Sequence, residues 1–113
     1  LESAPVVLDD VEAWLEAWPG HPRRLAMLEL AATLARDRMR DCARALPAYR
    51  ALAVEAPRTR IPHIEGLRGL CALELGDRLE AREALRRSVE LGVDEPLATD
   101  VREALAVLGA PVP

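Results

Sequence analysis

The 113-residue chain contains no Phe, Lys, Asn or Gln, and all 15 of its basic residues are Arg. GC-rich codon usage accounts for this bias most simply. Loss of Asn and Gln would also suit a thermophile, but the hyperthermophile signature is Lys enrichment, the opposite of what is seen. One Tyr and two Trp are the only aromatics, the net charge is −4 and the isoelectric point is near 5.2. That combination excludes the basic, aromatic-interleaved surface of a nucleic-acid binder. No apolar run approaches the ~20 residues needed to cross a bilayer. The N-terminal Leu1-Glu2-Ser3 lacks the basic-then-apolar pattern of a signal peptide. The expected state is a soluble domain, cytoplasmic or periplasmic, and the missing initiator Met points to a fragment of a larger or processed protein.

The chemical inventory is equally sparse. The two serines are Ser3, at an end, and Ser88, at a position that needs a small packing residue, so no nucleophile has a base beside it. No glycine-rich phosphate cradle is present. His21 and His63 each adjoin a proline at a helix start and have no second ligand four residues on, so a zinc helix motif is absent. No enzymatic activity, metal or cofactor is expected. Cys42 and Cys71 form no CxxC pair and are expected as two buried thiols. The alternative is a disulfide joining the start of the third helix to the fourth, which would require an oxidising compartment.

Half of the residues are apolar, and they recur at three and four residues with no strand-length alternation. The reading is all-α with six helices. The first runs from about Asp10 to Trp18, stopped by Pro19-Gly20, and the second from Pro22 to about Arg36. The third runs from near Asp41 to before Pro57, the fourth from Pro62 to Gly76, the fifth from about Asp77 to Leu91, and the sixth from about Pro96 to Leu108. Residues 1–9 form an N-terminal extension, 10–108 a single domain and 109–113 a tail. Pro47 falls inside the third helix, where it removes a hydrogen bond and costs about 3 kcal/mol. A kinked but continuous helix is preferred to one that begins at Pro47. The second and fourth helices are apolar most of the way round. The first (Val11, Trp14, Leu15, Trp18) and the sixth (Leu97, Val101, Leu105, Leu108) carry single stripes that must be buried on one side, Trp14 and Trp18 included. On the fifth, Glu83 four residues before Arg87 and Arg86 four before Glu90 are expected as solvated helix pairs.

Gly69, Gly76-Asp77, Ala81, Leu85 and Ser88 fall at the offsets where the tetratricopeptide repeat places its small first-helix residue, its turn, and the small, large, small series of its second helix. Ala45, Tyr49 and Pro57 repeat the spacing in the preceding unit. There Arg40 departs from the turn glycine and Leu52 from the small residue, and Arg68 stands where a Leu is expected. The chain thus resembles a bacterial tetratricopeptide-like helical repeat domain. Gly69 facing Ala81 would let the two backbones approach, with Leu85 beside them. Pro19 and Pro57 lie 38 residues apart, against a family period of about 34. The four extra residues amount to about one helical turn.

The resemblance implies a right-handed solenoid of antiparallel helix pairs and a non-catalytic protein-interaction scaffold. Its concave groove would bind a peptide or partner helix. By that geometry the groove is lined by Met27, Leu30, Leu34 and Arg38 from the second helix and by His63, Leu70, Leu73 and Glu74 from the fourth. The Asn and Lys residues with which chaperone-binding members clamp a carboxylate are absent. The implied ligand is therefore an apolar or amphipathic helix, and the rim of Arg38, Arg40 and Arg44 would favour acidic residues on it. Charge is uneven, at −5 over residues 1–20, +5 over 21–60 and −4 over 61–113. This supports an alternative, a self-associating homo-oligomeric module of a larger envelope or secretion complex in which acidic ends meet a basic middle. The Ala110-Pro111-Val112-Pro113 tail is apolar enough to fill a groove itself.

Overall fold

Pro5 sets the start of the structure. Its ring pre-forms the backbone of a first helical turn, and α1 (Ala4–Ala17) begins there rather than at Asp10, so residues 4–9 are helical. The gain is the burial of Leu8 one turn before Val11. The computed structural model describes residues 3–109; Leu1, Glu2 and the 110–113 tail lie outside the described residues. Within them the chain is all-helical, with α2 (Arg24–Thr33), α3 (Cys42–Glu55), α4 (Ile61–Glu74), α5 (Arg78–Glu90) and α6 (Leu97–Val107) following α1. Two short irregular turns complete it, a π turn over Leu34–Arg38 and a 3-10 turn over Arg58–Arg60. The chain divides into two compact units, residues 1–55 and 56–113.

In the first unit α2 packs against α1 and α3. The helix that starts at Arg24 does not end at Arg36 in regular form. It widens into the π turn, where the Met39 N–H donates to the Leu34 carbonyl (3.0 Å) and the Asp41 N–H to the Ala35 carbonyl (2.8 Å). Arg40 then takes the left-handed conformation (φ 52°) that ends the helix. Asp41 caps the next one, its Oδ1 accepting from the Arg44 N–H at 3.1 Å. α3 runs unbroken through Pro47, so the hydrogen bond lost there did not displace the helix start.

In the second unit α4 packs along α5, and α6 covers both. The α4–α5 turn is a full Schellman arrangement. Gly76 has φ 81°, its N–H donates to the Leu73 carbonyl (3.0 Å), and the Asp77 N–H reaches the Ala72 carbonyl (2.9 Å). Asp77 Oδ1 in turn accepts from the Glu80 N–H, capping α5. Between the two helices, a Cβ placed on Gly69 would lie 2.5 Å from Leu85 Cγ and 3.1 Å from the Leu85 backbone nitrogen. The close approach that Gly69 permits is thus to Leu85 rather than to Ala81. Gly66, one turn earlier, makes room in the same way for Ser88, Leu97 and Val101. The core assembled around these contacts joins Ala72, Ala81 and Leu85 to Leu97, Val101, Leu105 and Leu108 of the last helix and its cap, so the single stripe of α6 is buried as its spacing demands.

Two substitutions test this packing. Gly69→Ala should destabilise the protein by about 2 kcal/mol, because overpacking against Leu85 outweighs the gain in helix propensity of about 1 kcal/mol. Arg40→Gly should stabilise it by about 1 kcal/mol by relieving the left-handed backbone of a residue with a Cβ. Both are read by chemical denaturation followed by circular dichroism. A more stable Gly69→Ala variant would contradict the close approach of α4 and α5.

Candidate interaction surfaces

The eight residues expected to line a groove divide between the units. Met27, Leu30, Leu34 and Arg38 belong to the first, and His63, Leu70, Leu73 and Glu74 to the second. Leu30 is 40% exposed, Arg38 is exposed, and Met27 and Leu34 are half-buried. Leu34 opens the π turn and Arg38 closes it, so the wider turn carries Arg38 away from where a regular helix would put it. On α4, His63 and Glu74 are exposed, whereas Leu70 and Leu73 are half-buried and pack against the core of their unit. Glutamates at those two positions would therefore disturb folding as well as any surface.

The first unit has a groove that the residue pattern did not place. It has a volume of about 370 Å³ and runs between α1, α2 and α3. Its floor is Leu15, Leu28, Ala31, Pro47, Ala48 and Ala51, and Glu12, Glu16, Arg24 and Arg44 stand on its edges. Both arginines are held. Arg24 grips the Glu55 carboxylate with Nε and Nη2 at 2.8 and 2.9 Å, and this pair raises the arginine's pKa and holds the Glu55 carboxyl below its usual range. Arg44 bridges Glu12 and Asp9, the latter at 2.7 Å. Nearby, Tyr49 is buried, and loss of solvent pushes its phenol up to about 12.

Trp14 and Trp18 have different surroundings. Trp14 stays half-buried and meets the His21 ring edge-on, with centroids 5.0 Å apart, while His21 Nδ1 accepts from the Arg23 N–H at 3.1 Å. Trp18, expected to share the buried stripe, is 58% exposed because α1 ends at Ala17 and the backbone turns away. Cys42 and Cys71, expected as thiols, are both disulfide-bonded and both buried.

The second unit contains the least expected side chain, Glu65, which is fully buried on α4. Arg68 Nη1 donates to its Oε1 at 3.0 Å and Arg87 Nη1 to its Oε2 at 3.2 Å. Arg68 Nε binds Glu80 at 2.8 Å, so the ions run Glu80–Arg68–Glu65–Arg87 across the α4–α5 pair. Burial lowers the Arg68 pKa, but its hydrogen bonds with Glu80 and Glu65 outweigh that and leave it raised. The expected pairing of Arg87 with Glu83 along α5 gives way to this cross-helix contact. The signal for it lay in Arg68, a charge where the repeat pattern asks for Leu. A buried carboxylate one turn before it supplies the reason. Ser88 completes the set, its hydroxyl donating to the Pro62 carbonyl at 2.7 Å.

Among the described residues no group of three His, Cys, Asp or Glu side chains converges, and no described helix is long and apolar enough to cross a membrane. No family model, curated protein or solved structure matches the chain. The surfaces must therefore be read from their own chemistry. Two features stand out. One is an apolar groove with charged edges; the other is a charged network that locks a helix pair.

Removing one member of that network tests its weight. Glu65→Ala should destabilise the protein by about 3 kcal/mol, since it leaves Arg68 without its nearest buried counter-charge. Glu65→Ala combined with Arg68→Leu should recover most of the loss, as an apolar pair replaces an ionic one. Calorimetric unfolding of the two variants gives the comparison.

Proposed function

We propose that this chain is a non-catalytic protein-interaction scaffold of the tetratricopeptide kind, built from the helix pairs α2/α3 and α4/α5. The observation that carries the reading is the α4–α5 pair. Glycine meets Leu85 at the crossing, Ala81 and Ser88 are fully buried at the small positions, and a glycine-ended turn joins the helices. That is the pattern on which the resemblance rests. The first helix of each pair then presents the ligand contacts. Leu30 and Arg38 are the exposed ones in the first pair, and His63 and Glu74 in the second. An apolar side chain beside an arginine suits an amphipathic helix that carries a carboxylate.

The inventory supports a binding role rather than a catalytic one. Several carboxylates are engaged in ion pairs and helix caps, Asp41, Glu55, Glu65 and Asp77 among them. Such groups hold the backbone in place. Binding of this kind calls for rigidity of the framework with a few exposed anchors.

The test uses selection from a library of displayed helical peptides against the immobilised protein. Selected sequences should share an apolar anchor with a neighbouring acid, and Leu30→Glu with Arg38→Glu should reduce their binding by about tenfold or more. The variant's unfolding midpoint should stay where the unsubstituted protein has it. Binding that survives both substitutions would remove α2 from the ligand surface.

A further inference from the structure

The groove of the first unit has an edge with unbalanced charge. Asp9, Glu12 and Glu16 follow one face of α1 beside it, and Arg44 is the single guanidinium that answers them, bound to the first two. Glu16 is exposed and makes no ion pair among the described residues. The Arg24–Glu55 pair on another edge is already neutral. The groove therefore offers an apolar floor next to a net negative stripe. It suits an apolar knob flanked by positive charge.

The same chain carries such a knob. Leu79, in the first turn of α5, is 80% exposed, although α5 is otherwise polar on its outer side. Arg78, Arg82 and Arg86 follow at one-turn spacing along the adjoining face, and none makes an ion pair among the described residues. The spacings agree. Three acids over seven residues of α1 span about 10 Å, and three arginines over eight residues of α5 about 12 Å. On the far flank of Leu79 stands Glu83, the sign that suits the arginine edges of the groove.

We propose that the first-unit groove receives α5 of a second copy of this chain, with Leu79 on the apolar floor and Arg78, Arg82 and Arg86 along Asp9, Glu12 and Glu16. Knob and groove are different patches of one chain, so the contact is heterologous. A pair of copies keeps one free groove and one free knob, and assembly continues head to tail into a ring or a filament. An apolar contact framed by opposite charges also weakens as salt screens it. This goes beyond the scaffold reading and does not rest on Leu30, Arg38, His63 or Glu74 as ligand contacts.

Sedimentation velocity from micromolar to millimolar protein, in low and high salt, reads the assembly directly. The unsubstituted chain should grow in size with concentration and shrink with salt. Leu79→Asp and Glu16→Arg, both at exposed positions, should each raise the dissociation constant by about tenfold or more with helical circular dichroism unchanged. Mixing these two variants is the decisive arm, because one retains an intact groove and the other an intact knob. The mixture should yield a closed-ended dimer and nothing larger. Glu16→Arg combined with Arg86→Glu in one chain, the pair that the alignment sets opposite each other, should restore assembly. A chain that stays monomeric at the highest concentration in low salt would overturn the proposal. So would assembly indifferent to both substitutions, or a mixture that gives no dimer.

Discussion

The approach of α4 to α5 at Gly69 is the constraint on which the second unit depends. With no side chain on Gly69, the Leu85 side chain and backbone come to contact distance, and the helices lie close enough for their other small residues to be buried. Everything nearby follows from that separation. Ser88 reaches the Pro62 carbonyl, Gly66 admits Leu97 and Val101, and α6 closes over both helices. The same closeness puts Glu65 out of reach of water, and so two arginines must come to it. A wider spacing would have left that carboxylate to solvent.

The two units solve one problem with different chemistry. In the second, the helix pair is locked by glycine contacts and an ion chain centred on the buried Glu65, with members from both helices. In the first, the ion pairs lie at the edges. Arg24 meets Glu55, Arg44 meets Asp9 and Glu12, and each pair ties together residues 31 to 35 positions apart in sequence. Edge pairs of this kind contribute little to stability. Their effect is on shape, since they hold the rims of the groove apart from its apolar floor.

Much of the helical plan was legible because its punctuation is strong. Gly76, Gly92 and Gly109 mark left-handed helix ends, Asp41 and Asp77 supply caps, and the α6 stripe is regular enough that Leu97, Val101, Leu105 and Leu108 are all buried as their spacing requires. The continuity of α3 through Pro47 was also readable, from the spacing of Ala45, Tyr49 and Pro57. What escaped has a common cause: it depends on contacts rather than on neighbours in sequence. The burial of Glu65 shows only once Arg68 and Arg87 are seen to meet it. Pro5-Val6-Val7 reads as an extension until Leu8 is found buried, and the disulfide-bonded state of Cys42 and Cys71 was the alternative reading, which their spacing could not prefer over two thiols. The groove escaped for the same reason, as its floor draws on three helices. Of the eight residues assigned to a binding surface, the leucines of α4 illustrate the difficulty best. Apolar residues at helical spacing give the same pattern whether they face a ligand or a core.

The π turn at Leu34–Arg38 has a consequence for how such a chain is compared with others. A turn of this type accommodates an added residue inside a helix while both flanking stretches keep their packing. Here it is followed by an arginine that has taken over a conformation usually left to glycine. The result is a local change of phase. Any motif of constant period laid along this chain falls out of step between the two helices of the first pair and comes back into step only beyond it.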